Sequence, residues 1–166
     1  NLWLTAMERY LASEIKVKSG TNLTLQKDFE QRLKEALNQY HNHNLGVLEI
    51  LEELFKMSQD FQERLALGKK LGLTKEELAF YEALSQNQSA KDLMGDEVLS
   101  KLAKEITETL RKSVTIDWQY KEAVRAKMRI LVKRALQRYK YPPDQAEGAV
   151  EYVLKQAEEI ADELSA

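Results

Sequence analysis

Residues Lys121–Leu164, KEAVRAKMRILVKRALQRYKYPPDQAEGAVEYVLKQAEEIADEL, decide the fold. Ala146, Val150, Val153, Ala157, Ile160 and Leu164 recur at alternating spacings of four and three. That seam belongs to a helix needing a partner helix along its length. The segment before it places Val124, Met128, Leu131, Ala135 and Tyr139 in a second helical stripe. Between the two, Tyr141-Pro-Pro143 must end a helix, because proline donates no N–H and restricts its predecessor. Asp144, with Glu147 three positions on, supplies a capping-type start for the last helix. The two segments therefore form a helical hairpin. Its charge is segregated: Lys121 to Tyr141 holds eight bases against Glu122, and Asp144 to Leu164 holds seven acids against Lys155.

Helical periodicity extends through the rest of the chain. A short first helix places Trp3, Met7, Tyr10 and Leu11 on one face and frays near Ser19 into a loop at Gly20-Thr-Asn22. A second, about Leu25 to Tyr40, carries Leu25, Phe29, Leu33, Ala36, Leu37 and Tyr40, and is broken by His41-Asn-His-Asn44. A third, about Leu45 to Leu67, carries Leu48, Leu51, Leu54, Phe55, Phe61 and Leu65, with Gly68 and Gly72 bracketing the turn at its end. Thr74-Lys-Glu-Glu77 is a capping box and opens a helix over Lys75–Ser85. The polar stretch Gln86–Asp96 reads as a mobile loop, ahead of a helix over Glu97–Lys112 with Leu99, Leu102, Ala103, Ile106 and Leu110 inward. Three β-branched residues, Val114-Thr-Ile116, favour an extended interruption, after which Asp117 caps the basic helix. No strand alternation is present. The fold class is all-α, a compact bundle of about six to seven helices ending in a helical hairpin. Residues 1–24 read as the end of a preceding linker and first helix, and 25–166 as a single helical domain.

Bulk properties bound the function. A chain of 166 residues, 43% hydrophobic and 31% charged, is a globular domain able to bury about two-thirds of its unfolded surface. The net charge of −2 gives no global attraction for nucleic acid or acidic lipid. With no cysteine, disulfides and zinc–thiolate sites are excluded. No apolar run approaches the ~18 residues that span a bilayer. The start, Asn-Leu-Trp-Leu, is already apolar and lacks an initiator Met, which reads as a piece of a longer polypeptide.

Chemistry-bearing motifs are absent from the pattern. Gly68-Lys-Lys70-Leu-Gly72 lacks the spacing and preceding strand of a phosphate loop. His41 and His43 are two apart, share no helical face and have no third ligand nearby. Glu52–Glu53, Glu76–Glu77 and Glu158–Glu159 lie on charge-rich helices, whereas acid–base work needs a desolvated carboxyl. No catalytic, cofactor-binding or metal-ligating residue is assigned. The basic helix keeps three readings: phosphate contact, docking on an acidic partner protein, or pairing with the acidic last helix and solvent. Trp3 and Trp118 are each either core lids or interface anchors.

A resemblance adds to this. Thr115-Ile-Asp-Trp118, Val124-Arg-Ala126, Arg129, Val132-Lys133, Leu136 and Tyr139–Tyr141-Pro-Pro-Asp144 resemble the C-terminal signature of type I restriction enzyme R subunits. Leu71–Leu84 is similar to that family's "LTxEExAFYDAL" segment, with Glu82 where Asp is usual, and Gln156-Ala157 also matches. The likeness runs from roughly Phe29 to Glu159. It implies a cytoplasmic motor and nuclease subunit that uses ATP and Mg, all of whose catalytic residues lie outside this chain. It also implies that the helical region attaches the subunit to the methyltransferase and specificity subunits, with no membrane involved. On that reading the interface residues are the outward bases Arg125, Arg129 and Arg134, with Trp118 and Tyr141 at the hairpin ends. The alternative partner is duplex DNA, contacted through residues 121–140.

Overall fold

A computed structural model describes residues 1–117 and 121–165. Among them are seven helices and no strand: α1 Leu2–Ser19, α2 Leu23–His41, α3 Val47–Leu71, α4 Lys75–Ser85, α5 Gln88–Asp117, α6 Lys121–Arg138 and α7 Pro143–Ser165. The all-α class and the terminal hairpin stand. By their contacts the residues divide into two compact units, one of Asn1–Gly20 and Thr24–Leu67, the other of Thr21–Leu23 and Gly68–Ala166.

The first unit buries Leu4, Leu11 and Ile15 of α1 against Leu25, Phe29, Leu33 and Ala36 of α2 and Ile50, Leu54, Met57 and Phe61 of α3. Phe29 and Phe61 meet edge-to-face with ring centres 5.0 Å apart. Charge pairs flank that contact: Arg32 reaches Asp60 at 2.7 Å and Glu53 at 3.3 Å, and Arg64 reaches Asp28 at 3.0 Å while lying over the Phe29 ring. Partners that ascend α2 as they descend α3 fix an antiparallel register. Two expected faces are corrected here. Trp3 and Tyr10 are exposed, at 79% and 57%, because Leu4, Leu11 and Ile15 form the better-aligned inward stripe. Leu48 and Phe55 are exposed on α3, where Ile50, Leu54, Met57 and Phe61 turn inward instead.

In the second unit α4 is packed on α5 and α7, and α6 on the same two helices. Every residue of α4 from Leu78 to Leu84 is buried, Glu82 included, so this short helix is covered on all sides. Its capping box forms as expected: Thr74 Oγ1 accepts from Glu77 N at 3.2 Å, and Glu77 Oε1 accepts from Thr74 N at 2.8 Å. At the other end, the buried Tyr141 hydroxyl donates to the Leu84 carbonyl at 2.8 Å, satisfying an oxygen that the finished helix leaves unpaired. The buried Gln156 amide works in the same way on Thr21–Leu23: its Oε1 accepts from Leu23 N at 2.9 Å and its Nε2 donates to Thr21 O.

Other departures concern α5 and α6. The Gln86–Asp96 segment is not a loop, since α5 starts at Gln88, with Asn87 Oδ1 accepting from Ser89 N. Ala90, fully buried, roots this turn. The break comes at Gly95, whose φ of 76° and ψ of 167° kink the helix, and Tyr81 donates to Asp96 just beyond it at 2.6 Å. Val114-Thr-Ile116 is helical, not extended. The propensity penalty of a β-branched residue is below about 0.7 kcal/mol. The fully buried Leu99, Leu102, Ile106 and Leu110 already commit the helix upstream. Asp117 ends α5 and so does not adjoin α6, whose preceding residues lie outside the described ones. On α6 the buried stripe is Val124, Met128, Val132, Ala135 and Leu136; Leu131 and Tyr139 are half-buried. On α7, Val150, Val153, Ala157 and Ile160 are buried as the seam requires, Ala146 is half-buried and the Leu164 side chain lies outside the described ones.

Three helices end in one motif. Leu73 N reaches Gly68 O and Gly72 N reaches Lys69 O at the end of α3. Asn44 and His43 repeat this on Gln39 and Tyr40 after α2, and Tyr141 and Lys140 on Leu136 and Gln137 after α6. Each motif needs one left-handed residue: Gly72 at φ 70°, His43 at 60° and Lys140 at 58°. Gly68, expected to bracket the turn, is instead a helical residue whose carbonyl closes it. Gly72→Ala should lower unfolding free energy by about 1–2 kcal/mol, whereas Lys140→Gly should raise it by up to about 1 kcal/mol. Urea titrations of the two variants check both signs.

Burial pushes the Tyr141 hydroxyl above its ordinary value of 10, and burial with the Asp96 contact does the same more strongly to Tyr81. A raised folded-state pKa keeps the proton on the native chain. The associated stability is full below about pH 10 and is lost progressively as pH rises past it. Tyr141→Phe should cost about 1–3 kcal/mol at neutral pH by orphaning the Leu84 carbonyl. Together with Tyr81→Phe it should flatten the alkaline fall in stability, read from urea midpoints between about pH 8 and 11.

Candidate docking surface

The hairpin resolves the segregated charge residue by residue. Arg125 bonds Glu158 and approaches Glu151 at 3.9 Å, Arg129 bonds Glu151, and Arg138 bonds Glu105 of α5. The spacing explains the pairing. Residues 125 and 129 are one turn apart on α6 and face residues 158 and 151, two turns apart on α7. The hydrogen bond to Glu151 holds the Arg129 guanidinium above its ordinary value, and the reciprocal bond lowers the Glu151 carboxyl. These are partly exposed pairs that set hairpin register more than they add stability.

The five residues anticipated at an interface therefore separate. Arg125 and Arg129 are not outward but engaged within the hairpin. Tyr141 is buried and serves as the anchor to α4. Arg134 is exposed, and Trp118 lies outside the described residues. The outer face of α6 consists instead of Lys127, Ile130, Lys133 and Arg134, with Ala126 one turn below Ile130. Ile130 is 52% exposed at the centre of these cations. Lys127 and Arg134 make no ion pair among the described residues. Lys127, Ile130 and Lys133 were missed by sequence reading, although a signal existed: residue 130 lies opposite Val124 and Val132 on the helical projection.

Beside this face a cavity of about 240 Å³ opens at the hairpin elbow, with Lys133, Leu136, Tyr141, Pro143, Ala146 and Val150 among its lining. Its wall is mainly apolar, suited to one aliphatic side chain. A wider cleft between α2 and α3, about 540 Å³, is lined by Glu35, Glu49, Glu52, Glu53, Arg32 and Lys56, a solvated and charged surface. Among the described residues no three His, Asp or Glu side chains gather to hold a metal. His41 ends α2 beside Tyr40, and His43 occupies the left-handed turn position. No described helix is long and apolar enough to cross a membrane.

A family model described as type I restriction enzyme HindI endonuclease subunit-like, C-terminal, matches residues 1–163. The chain is 88% identical over 165 residues to the type I restriction enzyme HindI endonuclease subunit of Haemophilus influenzae, covering 99% of the chain and 16% of that protein. It is 31% identical over 137 residues to a Methanocaldococcus jannaschii protein assigned as the MjaIXP type I restriction enzyme endonuclease subunit, covering 79% of the chain and 13% of that protein. No solved structure matches.

Proposed function

We propose a docking role for this chain from the premise that it belongs to the HindI-like family of type I restriction enzyme endonuclease subunits, as its C-terminal part. In this reading the module attaches a cytoplasmic, ATP- and Mg-using DNA translocase and nuclease to the methyltransferase–specificity core of the same enzyme. In this reading the chemistry belongs to the remaining polypeptide; the chain spans 16% of its Haemophilus relative. The outer face of α6 carries the proposal: an exposed isoleucine ringed by Lys127, Lys133 and Arg134. An apolar centre inside a charged rim is the layout of a protein contact, where the rim steers approach and the centre supplies affinity. A phosphate-binding helix would leave its arginines free, and Arg125, Arg129 and Arg138 are already bonded to carboxylates.

In the full endonuclease subunit, Lys127→Glu with Arg134→Glu should slow association with the core and flatten its salt dependence. Ile130→Asp should weaken the complex by about tenfold or more at unchanged helicity. Surface plasmon resonance and circular dichroism read these outcomes, and undiminished association by all three substitutions would sink the reading. If core assembly is intact while non-specific DNA affinity loses about 0.9 of its log–log salt slope per replaced cation, the face is a DNA surface instead.

A further inference from the structure

The first helix has a second apolar seam that is exposed along its length. Its inward stripe, Leu4, Leu11 and Ile15, is buried. About a third of a turn round the helix, Trp3, Ala6, Tyr10, Ser13 and Val17 repeat at alternating spacings of three and four. Trp3, Tyr10 and Val17 fall at seven-residue intervals and are 79%, 57% and 71% exposed. Ala6 and Ser13, small residues between the large ones, allow another helix to approach closely. This is the heptad pattern of a helix packed on both sides.

We propose that this seam is covered by a helix from the polypeptide that precedes α1 in the full endonuclease subunit, so that α1 joins the module to the rest of its own chain. The family match is to the C-terminal part, and the chain accounts for 16% of the Haemophilus relative. The bulk of such a polypeptide therefore enters at the N-terminal end of α1. There Leu2 and Trp3 are the most exposed apolar residues of the helix.

Tethering decides between this occupant and a second copy. The seam from Trp3 to Val17 is only about 20 Å long at 1.5 Å per residue, too short to hold two free chains together well. A covalently linked partner acts at an effective concentration of about millimolar without new contacts. Charge argues the same way. Arg9 and Lys16 edge the seam and make no ion pair among the described residues, whereas Glu14 on the other edge is bonded to Lys18 at 2.8 Å. An antiparallel second copy in full overlap would set the two Arg9 side chains near each other on the same edge. The covering helix should carry an aliphatic seam with acids along the edge that faces Arg9 and Lys16.

Hydroxyl-radical footprinting of the intact wild-type endonuclease subunit tests this, with mass spectrometry at Trp3 and Tyr10 and light scattering to establish a monomer. Relative to the urea-unfolded subunit, oxidation at both residues should fall to the level of buried Tyr81 and Tyr141. Oxidation of the monomer at the unfolded rate would overturn the proposal. So would protection that appears only in a dimer, or only after the methyltransferase and specificity subunits are added. The readout does not involve α6, so this result and that of the docking experiment are independent.

Discussion

The second unit depends on burying α4 from Leu78 to Leu84. Eleven residues are too few for a helix to hold in water on its own propensity, so α4 exists because its neighbours enclose it. Enclosure creates the constraint that the rest must satisfy. Backbone groups at a buried helix end have no access to water and need partners within the protein. Thr74 and Glu77 cap the exposed end, and the partner at the buried end is supplied by Tyr141. The last of these fixes the elbow of the α6–α7 hairpin, and with it the direction in which α6 presents its outer face.

The hairpin's charge separation had several readings from sequence because a helical projection shows neighbours on one helix but not the partner across from it. Helical periodicity placed Arg125 and Arg129 on a common ridge. The crossing with α7 then decided that this ridge meets Glu151 and Glu158. The surface left for a partner is smaller and less basic than the count of eight bases suggests, and it has an apolar centre.

Much of the fold was legible because strong local signals agreed with one another. The capping box at Thr74, the turn at Gly20, the stripe of α2 and the Pro-Pro elbow were all read correctly from short-range chemistry. The errors arose where the chain is apolar on more than one face. Trp3, Tyr10, Leu48 and Phe55 compete with Leu4, Leu11, Ile50 and Leu54, and only the assembled unit chooses between the sets. Polar composition misled over Gln86–Asp96, since one buried alanine and an asparagine cap are enough to hold a helical turn there. At the candidate surface the cationic helix was legible but its outer face was not, because Ile130 stands out only once the inward stripe is known to run through Val132 and Leu136 instead of Leu131 and Tyr139. Tyr141, anticipated at an interface, is buried at the elbow with its hydroxyl spent on a carbonyl fifty-seven residues away.

Gln156 has a consequence for the order in which the chain acquires its structure. Its amide joins backbone groups 133 and 135 residues away in sequence, so its two bonds close very long loops. Loop closure costs entropy that rises only as the logarithm of length, but it must be met before the contact gives anything back. On a ribosome, Thr21 to Leu23 are made long before Gln156 emerges. Until then the first N–H of α2 has no amide to receive it, and this tie between early and late segments can form only after synthesis of α7. The glutamine acts as a late latch, closing the second unit between its first residues and its last helix.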